Sequence, residues 1–152
     1  MNHYVVVTNR DLEPDSVISR VKTNYNGGLV TFLGVTRDET NGRHVRFLEY
    51  EAYDSMAEKM IQRILNESYD IWNITDAAVE HRVGHVDIGE LSLIVAVSAP
   101  HRKEAFTACG FIVDRIKEIV PIWKKEYFVD GSVWVGCGTE HVEHISSQGS
   151  EV

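Results

Sequence analysis

The sequence predicts an α+β fold, in which strands occur in runs and helices lie between those runs. The clearest signal is in residues 91–97, where leucine and valine occupy every second position and therefore one face of a strand. Apolar residues three and four positions apart, at residues 56–65 and 105–116, predict two long helices. We expect these helices to pack on a mixed, largely antiparallel sheet.

The first third of the chain predicts a strand, a short helix and a second strand. Residues 4–8 contain three consecutive valines, which favour extended backbone. Pro14 followed by Asp15 is typical of a helix start, with Asp15 as the cap. Residues 29–35 are apolar on both faces, which is typical of an interior strand, and residues 38–42 predict a polar loop.

The middle of the chain predicts a bulged strand, a long helix and further strands. Residues 45–53 are strand-like, but their alternation slips at residues 47–48, which indicates a β-bulge. Asp54 is positioned to cap the first long helix. Residues 74–83 and 86–88 then predict two more strands.

The last third predicts a helix and a hairpin. Ser98 is expected to cap the second long helix, with Pro100 in its first turn, and Pro121 ends it. Strands at residues 122–129 and 133–135 flank an Asp-Gly turn.

Length and composition limit the class of protein. The 152 residues suffice for one domain, expected at residues 1–138, whereas residues 139–152 lack apolar periodicity and predict a flexible tail. A net charge of −8, from 15 basic and 23 acidic residues, argues against a general nucleic-acid binder. No apolar run is long enough for a membrane span, and the N-terminus lacks the pattern of a signal peptide. Cys109 and Cys137 form neither a disulfide framework nor a zinc motif, so we expect a cytoplasmic protein.

Cations are the informative residues in so acidic a chain. His101, Arg102 and Lys103 open the second long helix, where the partial positive charge of a helix N-terminus normally attracts acidic residues. Together with the free backbone N–H groups, they favour binding of a phosphate or a carboxylate. The alternative is that Glu104 compensates the charge and the three side chains extend into water.

Two lysines lie beside predicted apolar surfaces. Lys117 is at the edge of the apolar stripe of the second long helix, where it either extends into water or points into a pocket. Burial in a pocket would lower its pKa and free the amine for proton transfer or nucleophilic attack. Lys124 and Lys125 are adjacent in a strand and face opposite sides, so one of them is directed toward an apolar surface. The alternative is an edge strand that carries lysines against aggregation.

Arg37 follows an apolar strand directly, at a strand end where ligands often bind, although an arginine that starts a solvated loop fits the sequence as well. The histidine pairs at residues 81 and 85 and at residues 141 and 144 lack a third ligand at a suitable spacing, so no metal site is predicted. The motifs of serine hydrolases, phosphate-binding loops and dinucleotide-binding folds are missing, and no cofactor is expected.

Six short motifs occur in an order and spacing typical of one family. They are Phe-Leu-Gly-Val-Thr-Arg at 32–37, Leu-Glu-Tyr-Glu-Ala-Tyr at 48–53, His-Arg-Val-Gly at 81–84, Ser-Ala-Pro-His-Arg at 98–102, Pro-Ile-Trp-Lys-Lys-Glu at 121–126, and Asp-Gly with Trp-Val at 130–135. By these motifs, residues 28–135 resemble the large, catalytic subunit of molybdopterin synthase.

The resemblance implies an activity and an assembly. In that family, two sulfur atoms are added to a cyclic pyranopterin monophosphate to form the dithiolene of molybdopterin. The sulfur arrives as a thiocarboxylate on the Gly-Gly C-terminus of a small ubiquitin-like partner. The resemblance also implies an α/β hammerhead fold, a homodimer of this subunit within a 2:2 heterotetramer, and a sulfurtransferase reaction without a cofactor.

The same resemblance implies roles for the cations. Lys117 and Lys124 are the expected catalytic pair. The expected substrate-binding residues are Arg37, His101 and Arg102 for the phosphate and Phe32 as a wall of the pocket. Two other interpretations remain open: a non-catalytic anion- or nucleotide-binding regulatory module in which Lys117 is inert, and a structural subunit whose apolar surface only dimerises.

Overall fold

Two long helices and one short helix separate the strands of this chain. The computed structural model describes residues 3–137 and 142–145, which form three helices and ten strands. Helix α1 is Pro14–Val21, whereas α2 (Asp54–Ile71) and α3 (Arg102–Ile119) have 18 residues each. Among the described residues, none of the helices combines the length and apolar character needed to cross a membrane.

The first sheet has four strands and carries the main hydrophobic core. In spatial order its strands are β1 (Tyr4–Thr8), β5 (Asp76–Arg82), β7 (Leu91–Ala99) and β2 (Gly28–Val35). The pair β1–β5 is parallel and the other two pairs are antiparallel. Helices α2 and α3 cover one face, and α1 packs on the other, mainly against β5 and β7.

The second sheet is antiparallel and lies beside the first. Its described strands are β3 (Glu39–Thr40), β4 (Arg43–Ala52), β6 (Gly84–Asp87), β8 (Ile122–Phe128), β9 (Val133–Cys137) and β10 (Val142–Ile145). The order is β10-β9-β8-β4, and both β3 and β6 pair with the other edge of β4. The two sheets and the helices confirm the α+β class with a mixed, largely antiparallel arrangement; the hammerhead architecture stays a prediction.

Strand β2 is an edge strand, although its apolar sequence predicts an interior one. It pairs with β7 alone among the described strands. Its face toward α3 is covered, but α1 is too short to cover the opposite face, where Leu29, Leu33 and Val35 are 36%, 41% and 54% exposed. An apolar strip therefore runs along this edge of the first sheet.

The helix starts differ from those predicted. Asp15 and Asp54 lie in the first turns of α1 and α2, and no side chain caps either helix. In both positions the carboxylate still faces the partial positive charge of the helix N-terminus.

Helix α3 starts later than predicted, because Ser98 belongs to β7. Ser98 pairs with Asp76 on one side and Leu29 on the other, so sheet pairing extends the strand beyond the residues that locally favour a helix cap. His101 takes the N-cap position, without a hydrogen bond from its side chain.

Two strands lie where the sequence predicts none. Strand β3 falls in the expected loop 38–42, and β10 falls in the expected tail 139–152, where it pairs antiparallel with β9. The remaining residues of that tail lie outside the described residues. The predicted β-bulge is found between Val45 and Phe47, where the register of β4 against β8 shifts.

Candidate active site

A cavity of about 530 Å³ opens between the two sheets beside the C-terminal half of α3. Its walls come from α3, from β2, β5 and β7 of the first sheet, and from β3, β4, β8 and β9 of the second sheet. This volume lies within the range of small-molecule sites, which are typically about 300–1,000 Å³. The cavity is therefore the candidate active site.

Four of the six predicted site residues line this cavity. Lys117 comes from α3 and Lys124 from β8, so the fold brings the expected catalytic pair from two separate elements to one cavity. Phe32, on the α3-facing side of β2, forms part of the wall, and Arg37 is exposed at the end of the same strand.

His101 and Arg102 lie elsewhere in the chain fold. They are exposed at the start of α3, and fifteen residues of helix separate Arg102 from Lys117, which corresponds to about 22 Å along the axis. They also adjoin Gly28, at the opposite end of β2 from Arg37, about 23 Å away along the strand. Within one chain, a single phosphate cannot contact both groups.

The surroundings of Lys117 favour its uncharged form. Partial burial lowers the pKa of its amine, and the positive charge of Lys124 lowers it further, while Asp114 acts in the opposite direction. Lys117 is therefore more readily deprotonated than a lysine in water.

Strand β8 directs its two lysines to opposite faces, as its alternation predicts. The Lys124 Nζ atom lies 3.7 Å from Oε2 of Glu126, whose side chain is buried and also accepts a 3.1 Å hydrogen bond from Oγ1 of Thr40. On the other face, the Lys125 Nζ atom lies 3.8 Å from Oε1 of Glu51. Only Lys124 of the pair reaches the cavity.

A group of polar side chains in the cavity is not predicted by the sequence analysis: Tyr50, His81, Ser92 and Glu126. Burial raises the pKa of Tyr50 most, the nearby hydroxyl of Ser92 lowers it, and the charge of Glu126 raises it. The ring of Tyr50 meets that of His81 edge to face, with centroids 5.3 Å apart.

Two signals could have identified these residues. His81 alternates with Ala77 and Val79 in β5, so strand periodicity places a histidine on a core-facing surface. Glu126 is two positions after Lys124 and therefore shares its face.

Other candidate chemistries find no support in the described residues. In that part of the chain, no three His, Cys, Asp or Glu side chains are grouped so as to hold a metal ion. Cys109 is buried under the first sheet, where burial raises the pKa of its thiol to about 11, so it is not a ready nucleophile. The cavity instead offers amines and a guanidinium, which bind anions and transfer protons, beside the carboxylates of Asp114, Glu118 and Glu126.

Comparison with known proteins identifies the family to which this chain is similar. A family model described as "MoaE protein" matches residues 7–119. The molybdopterin synthase catalytic subunit of Pyrococcus abyssi is 47% identical over 132 residues, which are 87% of this chain and 88% of that relative.

Solved structures share the fold. The crystal structure of molybdopterin synthase from Staphylococcus aureus matches with a TM-score of 0.82 and 38% identity, over 90% of this chain and 98% of that one. A complex of subunits 1 and 2 of molybdopterin-converting factor from Helicobacter pylori matches with a TM-score of 0.70 and 17% identity, over 96% and 91% of the two chains, and shares the fold. Because the family model covers well over half of the residues and a relative at 47% identity covers most of both chains, this chain belongs to the MoaE protein family.

Proposed function

We propose that this chain is the catalytic subunit of a molybdopterin synthase, an enzyme of molybdenum cofactor biosynthesis, and that it catalyses the sulfur-transfer step. The observation that carries the proposal is the single cavity that collects Lys117, Lys124 and Arg37 from separate parts of the chain. The activity is assigned to the domain expected at residues 1–138, in the cytoplasm.

The substrate is a cyclic pyranopterin monophosphate, and the sulfur donor is the C-terminal thiocarboxylate of a small ubiquitin-like partner that ends in Gly-Gly. Both reactants are anionic, so Arg37, Lys117 and Lys124 are suited to bind them. Three carboxylates, of Asp114, Glu118 and Glu126, line the same cavity, so the anions must lie on the side of the cations. A Gly-Gly terminus lets the backbone of the partner approach the cavity walls closely, because glycine has no side chain.

The two lysines divide the electrostatic work of the transfer. When the thiocarboxylate sulfur bonds to the substrate, its negative charge is lost and a group on the substrate carbon must leave with a proton or a counter-charge. An ammonium group beside that carbon stabilises the charge and supplies the proton. The sulfur then joins the substrate to the partner's C-terminal carbonyl as a thioester, and water hydrolyses this acyl C–S bond, which releases the partner as a carboxylate and leaves the sulfur on the substrate. The lowered pKa of Lys117 suits this residue to proton donation, since an acid with a lower pKa releases its proton more readily.

The proposed assembly is a homodimer with one small partner on each protomer. The exposed apolar strip of β2 supports a protein–protein contact at that edge, since such a contact would remove Leu29, Leu33 and Val35 from water. His101 and Arg102 are too far from the cavity of their own chain to share a phosphate with Arg37, so their expected role requires the cavity of a neighbouring copy.

Two alternative interpretations are less well supported. A regulatory module that binds an anion or a nucleotide does not need an amine such as that of Lys117, whose pKa is lowered by burial and by the charge of Lys124. A purely structural subunit has no need for the cavity. Membership of the family favours the enzyme over both.

The direct test combines this protein with a thiocarboxylated partner and the pyranopterin precursor and measures dithiolene formation. We expect turnover that depends on both reactants. Lack of dithiolene, with a partner that is shown to carry the thiocarboxylate, would contradict the proposal. Lys59→Ala is a suitable control, because this lysine is exposed on α2 and does not line the cavity.

The phosphate contact has a separate kinetic test. Arg37→Ala should raise KM about tenfold or more while kcat changes less, because it removes a charge-assisted bond made before and during the reaction. Arg102→Ala should show the same KM effect only if the neighbouring-copy arrangement is correct. An unchanged KM in the Arg37 variant would remove this residue from the phosphate site.

A further inference from the structure

His81 and Glu126 are the two buried titratable groups that line the cavity. His81 is 6% exposed, it lies near the end of β5 opposite Leu93, and it lines the cavity beside Tyr50. The proposed sulfur-transfer chemistry assigns it no role, and a buried polar ring next to a reactant cavity requires an explanation.

The hydrogen bonding of the ring fixes its tautomer. Nδ1 lies 2.8 Å from the carbonyl oxygen of Arg82. A carbonyl only accepts, so Nδ1 must carry the proton, and in the neutral ring Nε2 has none. Because Nδ1 is turned toward the backbone, the ring edge left for the cavity is the one with Nε2.

The ring is neutral under ordinary conditions. Burial lowers the pKa of His81 to about 4, the bond to the Arg82 carbonyl opposes that shift, and the positive charge of Lys117 adds to it. Nε2 is therefore a hydrogen-bond acceptor at neutral pH.

This acceptor differs from the others that line the cavity, because Asp114 and Glu118 are exposed carboxylates on α3 whereas Nε2 belongs to a buried ring. Lys117, Lys124 and Arg37 only donate hydrogen bonds when charged. The carboxylate of Glu126 accepts, but Thr40 and Lys124 already engage it. No hydrogen bond to Nε2 is formed within residues 3–137, so this lone pair is available to a ligand.

We propose that His81 is a substrate-binding residue, whose unprotonated Nε2 accepts a hydrogen bond from an N–H or O–H group of the molecule in the cavity. The identity of that molecule rests on the proposed function, since a pyranopterin ring system carries such donors. His81 thereby determines specificity: a ring analogue without the donor leaves Nε2 unpaired in a buried site and binds more weakly.

The tautomer can be measured without any activity. In ¹⁵N-labelled protein at pH 7, long-range ¹H–¹⁵N correlation spectra should show His81 as the neutral form protonated at Nδ1. Protonation at Nε2, or a charged ring, would overturn the inference because Nε2 would no longer be an acceptor.

Two matched variants separate binding from structure. His81→Asn keeps an N–H donor at the place of Nδ1 and removes the acceptor, whereas His81→Gln brings an amide oxygen to the place of Nε2 and gives up the bond to Arg82. We expect the Asn variant to bind the pyranopterin about tenfold more weakly and the Gln variant within about threefold of wild type. We expect the opposite order for thermal stability, with Asn above Gln.

The outcomes are distinct. If affinity follows stability, so that Gln is worse than Asn, His81 is structural and the inference is wrong. Wild-type turnover together with unchanged affinity in the Asn variant also overturns it, and leaves the proposed function intact. Absence of turnover in the wild-type protein with a charged partner overturns the proposed function and this substrate contact with it.

Discussion

The two ends of α3 both carry cations, but their surroundings differ. At the C-terminal end, Lys117 shares a cavity with Lys124, and partial burial together with that second charge lowers its pKa. At the N-terminal end, His101, Arg102 and Lys103 are exposed, and the N-cap side chain makes no capping bond. Lys117 is also solvent-exposed, but its end of α3 borders the cavity between the two sheets, whereas the cations at the N-terminal end do not line that cavity.

The difference separates two kinds of sequence signal. Basic residues at a helix N-terminus conflict with the helix dipole and are conspicuous in the sequence, yet in the isolated chain they form no enclosed site. Lys117 is less conspicuous, because a lysine at the edge of an apolar stripe usually extends into water. Enclosure is decided by elements far away in the sequence, here β4, β5 and β8, so local charge patterns do not reveal it.

The largest expected effect is at the end of α3 that borders the cavity. Lys117→Ala should reduce kcat for dithiolene formation about 10²–10⁴-fold, the usual loss when a positioned proton donor is removed. Thermal stability should change little, because the side chain is partly exposed. Arg102→Ala, at the other end of α3, should act on KM and not on kcat. Near-wild-type kcat in the Lys117 variant would remove the contrast between the two ends.

Within the cavity wall, the contrast can be sharpened on one strand. Lys124→Ala should lower kcat to a similar extent, whereas Lys125→Ala should stay within about twofold of wild type, because it loses only an exposed ion pair with Glu51. Thermal melting should accompany both assays, since the first change leaves the buried carboxylate of Glu126 without its cation. A larger kinetic loss for Lys125 would mean that the face assignment of β8 is wrong.

The end of α3 that borders the cavity should also respond to pH through His81. Its pKa is about 4 in the folded chain against 6.5 in the unfolded chain, so between these values the unfolded state binds more protons. Stability from the neutral ring is present above pH 6.5 and is lost as pH falls toward 4, by up to about 3 kcal/mol. Lys117 is the charged group that opposes protonation of this ring, and Tyr50 packs against it.

The measurement is urea unfolding of wild type and His81→Asn across that range. Carboxylates titrate in both proteins, so the difference between their pH curves isolates His81. Parallel curves would mean that the ring does not resist protonation in the folded protein.

The smallest expected effects concern how α3 is held in place. A Cβ atom on Gly28 would lie 2.9 Å from Cα of Arg102, so Gly28→Ala should displace the start of α3 and cost about 1–3 kcal/mol. Gly110, in the exposed middle of α3, has nothing within 4 Å of such a Cβ, so Gly110→Ala should stabilise by about 0.5–1 kcal/mol. Thermal melting distinguishes the two variants, because the melting temperature should fall for Gly28→Ala and rise for Gly110→Ala. Unchanged thermal stability in the Gly28→Ala variant would mean that the N-terminal end of α3 can move away from β2 at little cost.

The sequence predicts those features that local chemistry determines. The period of α3, the alternation of β7 and the opposite faces of Lys124 and Lys125 follow from backbone geometry, and the structure has all three. The edge position of β2 does not follow, because apolar residues on both faces are equally compatible with an interior strand.

The missed site residues show the same limit. Tyr50, His81 and Glu126 are separated by 31 and 45 residues in the sequence, and only the pairing of two sheets brings them to one cavity. The prediction that Ser98 caps α3 is wrong for a related reason, since strand partners on both sides override its local preference for a helix cap. Sequence periodicity shows on which face of a helix or strand a residue lies, whereas tertiary packing decides which other elements contact that face.

The alternation of β8 makes the length of this strand as important as its composition. Lys124 and Glu126 point into the cavity while Trp123 and Lys125 point away, so deletion of one residue near Ile122 would exchange the two sets along the rest of the strand. During divergence of such a chain, β8 can therefore accept replacements at outward positions but not a change in residue number.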